Sequence, residues 1–197
     1  MLSPVIAENL DRAEACWVQA LRHLGPPEGS ARYAAPSGCQ GWSNRELVNH
    51  LIGGGLRYAM LLDQDPPAEV EATRDRDHLG EDPLEAFWTH ERRFRRLAAD
   101  VDLTVPVSHR IGKMPGTQLV QMRILELALH AADLSVGTGD PWPVDDALAE
   151  FMATDLAALI VELGDTGGYA PPRTDAPAAS AADRVLLLSG RAVTRRA

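Results

Sequence analysis

The sequence predicts an all-α protein, a four-helix bundle with short accessory helical segments, on three observations. Apolar residues recur at alternating three- and four-residue steps through long segments, helix start and stop signals bracket those segments, and no stretch alternates with period two long enough to suggest a paired strand. A chain of 197 residues can bury one substantial core, so a single domain over 1–197 is expected.

Ile6, Leu10, Ala13, Trp17, Ala20 and Leu24 form the stripe of the first helix, which Gly25-Pro26-Pro27 ends. A loop follows as far as residue 42. Ser43-Asn44-Arg45-Glu46 then has the form of a capping box, in which the serine and glutamate side chains each satisfy a free amide at a helix start. This second helix runs to Asp63, and 64–81, rich in Pro, Asp and Arg, is a polar loop. Leu84, Phe87, Phe94, Leu97 and Val101 mark the third helix. Residues 106–116 connect it to the fourth, whose stripe is Met122, Leu125, Leu129, Ala132 and Val136 and which Gly137 and Gly139 are suited to end. A fifth helix carries Leu148, Met152, Leu156, Leu159 and Leu163 on one stripe. Residues 165–179 form a surface loop, and 180–197 hold a carboxy-terminal helical segment around Val185-Leu186-Leu187-Leu188 and a tail. Gly53-Gly54-Gly55 interrupts the second helix and marks either a kink or the close approach of another group, by packing or as a ligand.

Charge narrows the partners. Nineteen Lys and Arg stand against 28 Asp and Glu, a net of -9, which opposes the phosphate contacts on which nucleic-acid affinity depends. Arg92, Arg93, Arg95 and Arg96 alternate with acidic and apolar residues and form a solvated face of the third helix, so no nucleic-acid partner is expected. No apolar run approaches a membrane span, and Glu8 and Asp11 arrive before a signal region could develop, so a cytoplasmic chain with no membrane partner is expected. Cys16 and Cys39 are the only cysteines and support neither a disulfide framework nor a cysteine-rich zinc module. Lys113 is the single lysine, a bias that follows GC-rich codons more simply than any physical demand.

The chemistry-bearing stretch is Arg123-Ile124-Leu125-Glu126-Leu127-Ala128-Leu129-His130. Glu126 and His130 share one helix face, and His50 lies in another helix. Two imidazoles and one carboxylate from facing helices can hold a divalent metal and leave a coordination position open. Taken singly, Glu126 and His130 form an ordinary surface pair and His50 a core histidine. Arg123 and Asp133 extend the face by three residues at either end. Asp133 can accept from a ligand imidazole, while Arg123 can pair with Glu126 or contact a cofactor or a substrate carboxylate. His90, between Phe87 and Phe94, competes as a ligand. His23, His78 and His109 fall near helix ends or in loops, and Trp42 and Tyr58 fill the core or line a pocket. Neither cysteine has a histidine placed beside it by sequence, and no serine nucleophile elbow is present, so no catalytic residue is assigned beyond the metal ligands.

Cys39-Gln40-Gly41-Trp42-Ser43-Asn44-Arg45-Glu46-Leu47-Val48-Asn49-His50-Leu51, Met114-Pro115-Gly116, Glu126 through Leu134 and Leu186-Leu187-Leu188-Ser189-Gly190-Arg191 together resemble the mycothiol-dependent maleylpyruvate isomerase family of the DinB-like superfamily. The resemblance spreads over 36–191. It implies a DinB-like bundle whose divalent metal, commonly zinc, receives the thiolate of a low-molecular-weight thiol such as mycothiol. In its motif His50 matches the ligand of the second helix, and Glu126 and His130 match the pair of the fourth. The expected absence of the founding isomerase's extra carboxy-terminal domain leaves the substrate open. A free thiol with pKa near ~8.5 is mostly protonated at neutral pH, whereas a coordinating thiol is deprotonated by the cation. The expected function is a metal-dependent thiol transferase or thiol-assisted isomerase acting on a small electrophilic metabolite, as a monomer or homodimer. The alternatives are a non-catalytic small-molecule-binding bundle and a metal-dependent hydrolase, in which hydroxide takes the open position.

Overall fold

A computed structural model describes residues 2–27 and 30–193; the last four residues of the expected tail lie outside them. In chain order the elements are α1 (Pro4–Leu24), α2 (Ala31–Ala34), α3 (Asn44–Leu62), α4 (Pro67–Glu71) and α5 (Pro83–Asp100). The hairpin β1 (Pro106–His109) and β2 (Gly112–Pro115) follows, then α6 (Gly116–Thr138), α7 (Asp146–Thr154), α8 (Ala157–Asp165) and α9 (Ala181–Leu188). The fold is the all-α bundle that the periodicity predicts. The chain groups into two compact units, Met1–Pro143 and Val144–Ala197.

In the first unit α1 packs along α6, α3 packs along α5, and α3 also meets α6. Leu10 and Trp17 of α1, Leu47, Leu51 and Ile52 of α3, Phe87 and Phe94 of α5, and Leu119, Ile124 and Leu125 of α6 are fully buried. Large aliphatic and aromatic side chains on four helices therefore leave water together, each contributing about 1.5–3 kcal/mol of burial free energy. The helix ends are chemically specified. The Ser3 hydroxyl caps α1, and Ser43 with Glu46 completes a reciprocal capping box on α3, the amide of Ser43 donating to Glu46 Oε2 at 2.7 Å. Gly139, at φ 77°, adopts the left-handed conformation that ends α6.

Four stretches differ from the sequence expectation. The two loops flanking α3 each contain a short helix, α2 and α4. The 106–116 connection is an antiparallel hairpin in which Val107 pairs with Met114, and both are buried. Strands of four residues bounded by prolines are too short to show alternation in the sequence. The fifth helix is broken in the second unit. At the break the Thr154 hydroxyl lies 2.8 Å from both the Glu150 carbonyl and the Asp155 carboxylate, which share its one proton, and the Leu156 amide reaches back to the Phe151 carbonyl at 3.3 Å. Side-chain hydrogen bonds thus compete with the helical ladder, and the chain turns into α8. Within this unit α9, capped by Ser180, packs chiefly on α7.

Candidate metal centre

Helices α3 and α6 carry the expected trio, and their packing brings it together. His50 Nε2 stands 3.3 Å from Glu126 Oε1, the rings of His50 and His130 lie 5.3 Å apart at nearly a right angle, and one donor atom from each of the three falls within 4.8 Å of the others. Ligand atoms held tetrahedrally at zinc distances of 2.0–2.1 Å are spaced by about 3.3 Å. The His50 and Glu126 pair already has that spacing, and the trio can hold a divalent cation once the side chains draw together.

The outer contacts select the right chemical forms. Asp133 Oδ2 lies 2.9 Å from His130 Nδ1. A carboxylate only accepts, so Nδ1 carries the proton and Nε2 keeps the lone pair that a metal needs. Burial pushes the His50 pKa down, outweighing the Glu126 hydrogen bond that would raise it, and the imidazole stays neutral. For Glu126 burial alone would raise the pKa, but the His50 hydrogen bond and the Arg123 charge hold it well below the usual carboxylate range.

Arg123, expected as a possible cofactor contact, is 0 % exposed. Its Nη2 donates to Glu91 Oε2 at 2.6 Å, and its Nη1 donates to Glu126 Oε2 at 2.8 Å and to the Leu51 carbonyl at 3.2 Å. It stands beneath Glu126, where the two carboxylates hold its pKa up against the effect of burial. Two of the three α3 glycines, Gly54 and Gly55, make room for this charged layer, while Gly53 faces His78 and Arg57. A Cβ on Gly54 would stand 2.9 Å from Arg123 Nη1 and 3.1 Å from Glu126 Oε2, and one on Gly55 would stand 3.1 Å from both Arg123 Nη2 and Glu91 Oε2. Side-chain packing, not a helix kink, accounts for the run.

The loop between α2 and α3 closes the other side. A bridge between Pro36 and Ser43 pinches it, and the Gly38 amide donates to the Asp133 carbonyl at 2.8 Å. It sets the Trp42 ring 4.9 Å from that of His50 and places Cys39 Sγ 3.1 Å from Asp133 Oδ2 and 3.6 Å from His130 Nδ1. Sequence reasoning had no means of seating Cys39 beside a histidine, because 91 residues separate Cys39 from His130. It also missed Glu91, which sits among helix-surface charges in the sequence, and Arg57, whose Nη2 donates to the His50 carbonyl at 3.0 Å. The triple glycine was the one available signal that bulky groups approach α3 there. His90 stays apart from the trio, edge-on to His78 at 5.9 Å, and His109 stacks on Tyr58 at 6.1 Å.

Comparison with known proteins places these features in a family. The family described as the mycothiol maleylpyruvate isomerase N-terminal domain matches residues 13–135, a span that contains the trio, the loop and Asp133. Uncharacterized proteins Rv0738 and MT0763 of Mycobacterium tuberculosis, strains ATCC 25618 / H37Rv and CDC 1551 / Oshkosh, are each 24% identical over 127 residues, 64% of this chain and 65% of theirs. The match thus spans somewhat under two thirds of those relatives' length. Two crystal structures of the mycothiol-dependent maleylpyruvate isomerase, one of them a mutant, superpose with TM-score 0.56 over 81% of this chain and 72% of theirs, at 17% and 16% identity. They share the fold.

Proposed function

The chain belongs to the mycothiol maleylpyruvate isomerase N-terminal domain family, and on that premise we propose that it is a metal-dependent thiol transferase or thiol-assisted isomerase acting on a small electrophilic metabolite. The observation that carries this reading is the His50, Glu126 and His130 trio at metal-ligand spacing, with His130 oriented by Asp133. His50, Glu126 and His130 would hold a divalent cation, zinc by the chemistry of the donor set, which when bound would lower the pKa of an incoming thiol such as mycothiol so that its proton passes to solvent and the thiolate can serve as a nucleophile for C–S bond formation or for reversible addition to a double bond.

The chain's own residues set the conditions for that chemistry. Coordination would engage His50 and His130 through their lone-pair nitrogens and Glu126 through its carboxylate, so the loaded site would keep a net charge of about +1 that suits a thiolate. Asp133 fixes the His130 tautomer, Arg123 keeps Glu126 ionised and aimed, and the Trp42 ring packs at a tilt against that of His50. Cobalt substitution tests the reading. Adding mycothiol to cobalt-loaded protein should produce a thiolate-to-cobalt charge-transfer band, and the triple variant His50→Ala/Glu126→Ala/His130→Ala should bind no stoichiometric metal. A folded, cobalt-loaded sample that shows no band refutes thiol activation and favours a hydrolase; a wild type that binds no metal favours a ligand-binding bundle.

A further inference from the structure

The loop between α2 and α3 brings a second set of donor atoms to the far side of His130. Cys39 Sγ lies 3.1 Å from Asp133 Oδ2 and 3.6 Å from His130 Nδ1, and His130 Nδ1 lies 2.9 Å from Asp133 Oδ2. In a tetrahedral zinc site a sulfur stands about 3.6 Å from a nitrogen or oxygen ligand, and two nitrogen or oxygen ligands stand about 3.3 Å apart. All three edges of the triangle come within about 0.5 Å of those spacings. A thiolate beside an imidazole and a carboxylate favours zinc and other thiophilic cations over magnesium or calcium, which take oxygen-rich donor sets.

The sulfur is held in place by its loop. The Ser37 hydroxyl donates to the Trp42 carbonyl at 2.9 Å and accepts from the Cys39 amide at 3.1 Å, and the Trp42 amide donates to the Cys39 carbonyl at 3.1 Å. These bonds fix the Cys39 backbone from both sides. Gly38 seats it on α6, because a Cβ there would stand 2.8 Å from Asp133 Cα and 3.2 Å from Asp133 Oδ1, a clash that a larger residue could not avoid. Asp133 is buried, while Cys39 and His130 keep partial exposure and so leave an entry path for an ion.

We propose that Cys39, Asp133 and His130 Nδ1 form a second metal site, for a thiophilic divalent cation of the zinc class, which shares His130 with the His50, Glu126 and His130 centre. With both sites filled, His130 bridges them as an imidazolate, and the two protons lost, from the Cys39 thiol and from His130 Nδ1, pass to solvent. With the first centre empty, the ring proton moves to Nε2 and only the thiol proton leaves. Binding there uses the chain's own sulfur, so it is independent of the thiol-activating reading.

Cobalt titration of the metal-free full chain, with no exogenous thiol present, tests this. Wild type should develop a sulfur-to-cobalt charge-transfer band and bind two ions per chain, Cys39→Ser should lose the band and bind one, and Cys16→Ser should behave as wild type. His50→Ala/Glu126→Ala, which keeps all three ligands of the second site, should retain the band at one ion per chain. Alkylation supplies a readout on the unaltered sequence: zinc should slow iodoacetamide modification of Cys39 at least tenfold, read by peptide mass, in wild type and in His50→Ala/Glu126→Ala alike. A folded wild type that shows no band in excess cobalt, a band that persists in Cys39→Ser, or Cys39 alkylation that zinc does not slow would each overturn the proposal. The two readings fail separately. A mycothiol-dependent band in Cys39→Ser with no thiol-free band in wild type sinks the second site alone, whereas a thiol-free band in wild type with no mycothiol-dependent band in Cys39→Ser sinks thiol activation alone.

Discussion

Replacing Arg123 by methionine removes the charge at the centre of the Glu91, Arg123 and Glu126 layer. Arg123 and Glu91 are both 0 % exposed and meet at 2.6 Å, and the same guanidinium holds Glu126 at 2.8 Å. Methionine fills much of the volume, so the loss is electrostatic: Glu91 becomes a buried carboxylate without its partner. Breaking a buried pair from one side costs about 3–5 kcal/mol. For a chain of this size each kcal/mol moves the unfolding midpoint by about 2–4 °C, so a drop of about 6–20 °C is expected. Thermal and urea unfolding of the metal-free protein at pH 7 measures it. Adding Glu91→Met should recover much of the loss, because an apolar pair of similar volume can replace a buried ion pair with little penalty. An Arg123→Met protein within about 1 kcal/mol of wild type, or a double variant no more stable than the single, would refute the reasoning.

Gly54→Ala should destabilise by about 1–3 kcal/mol, despite the better helix propensity of alanine, because its Cβ would press on Arg123 Nη1 and Glu126 Oε2; a more stable variant in urea would contradict this. Asp133→Asn should lower zinc affinity about 10- to 100-fold in chelator competition, since it loosens the His130 tautomer, and unchanged affinity would show that Asp133 does not orient the ligand. Burial lowers the His109 pKa from 6.5 to about 4. Between those values the folded chain binds fewer protons than the unfolded one, so stability is full above pH 6.5 and declines as pH falls toward about 4. Urea titrations across that window should show the decline, and His109→Phe, which keeps a ring for Tyr58 to stack on, should flatten it.

Local rules determined much of this protein. The stripes of α1, α3, α5 and α6, the Ser43 and Glu46 box and the Gly139 stop are all legible because each depends on residues within a few positions of one another. The candidate ligands were legible for the same reason in part: Glu126 and His130 are one helical turn apart, and the family motif supplied His50. The break between α7 and α8 was hidden, because a stripe continues through Leu156 while the Thr154 and Asp155 side chains divert the backbone. Tertiary structure alone decided that Glu91 and Arg57 approach the centre, that Arg123 lies beneath it and not at its mouth, and that Cys39 stands beside His130. The physical reason is distance along the chain. Groups 32 and 91 residues apart meet only when the helices pack and the loop before α3 folds over them, and the Glu91, Arg123 and Glu126 layer occupies space that Gly54 and Gly55 leave open on α3.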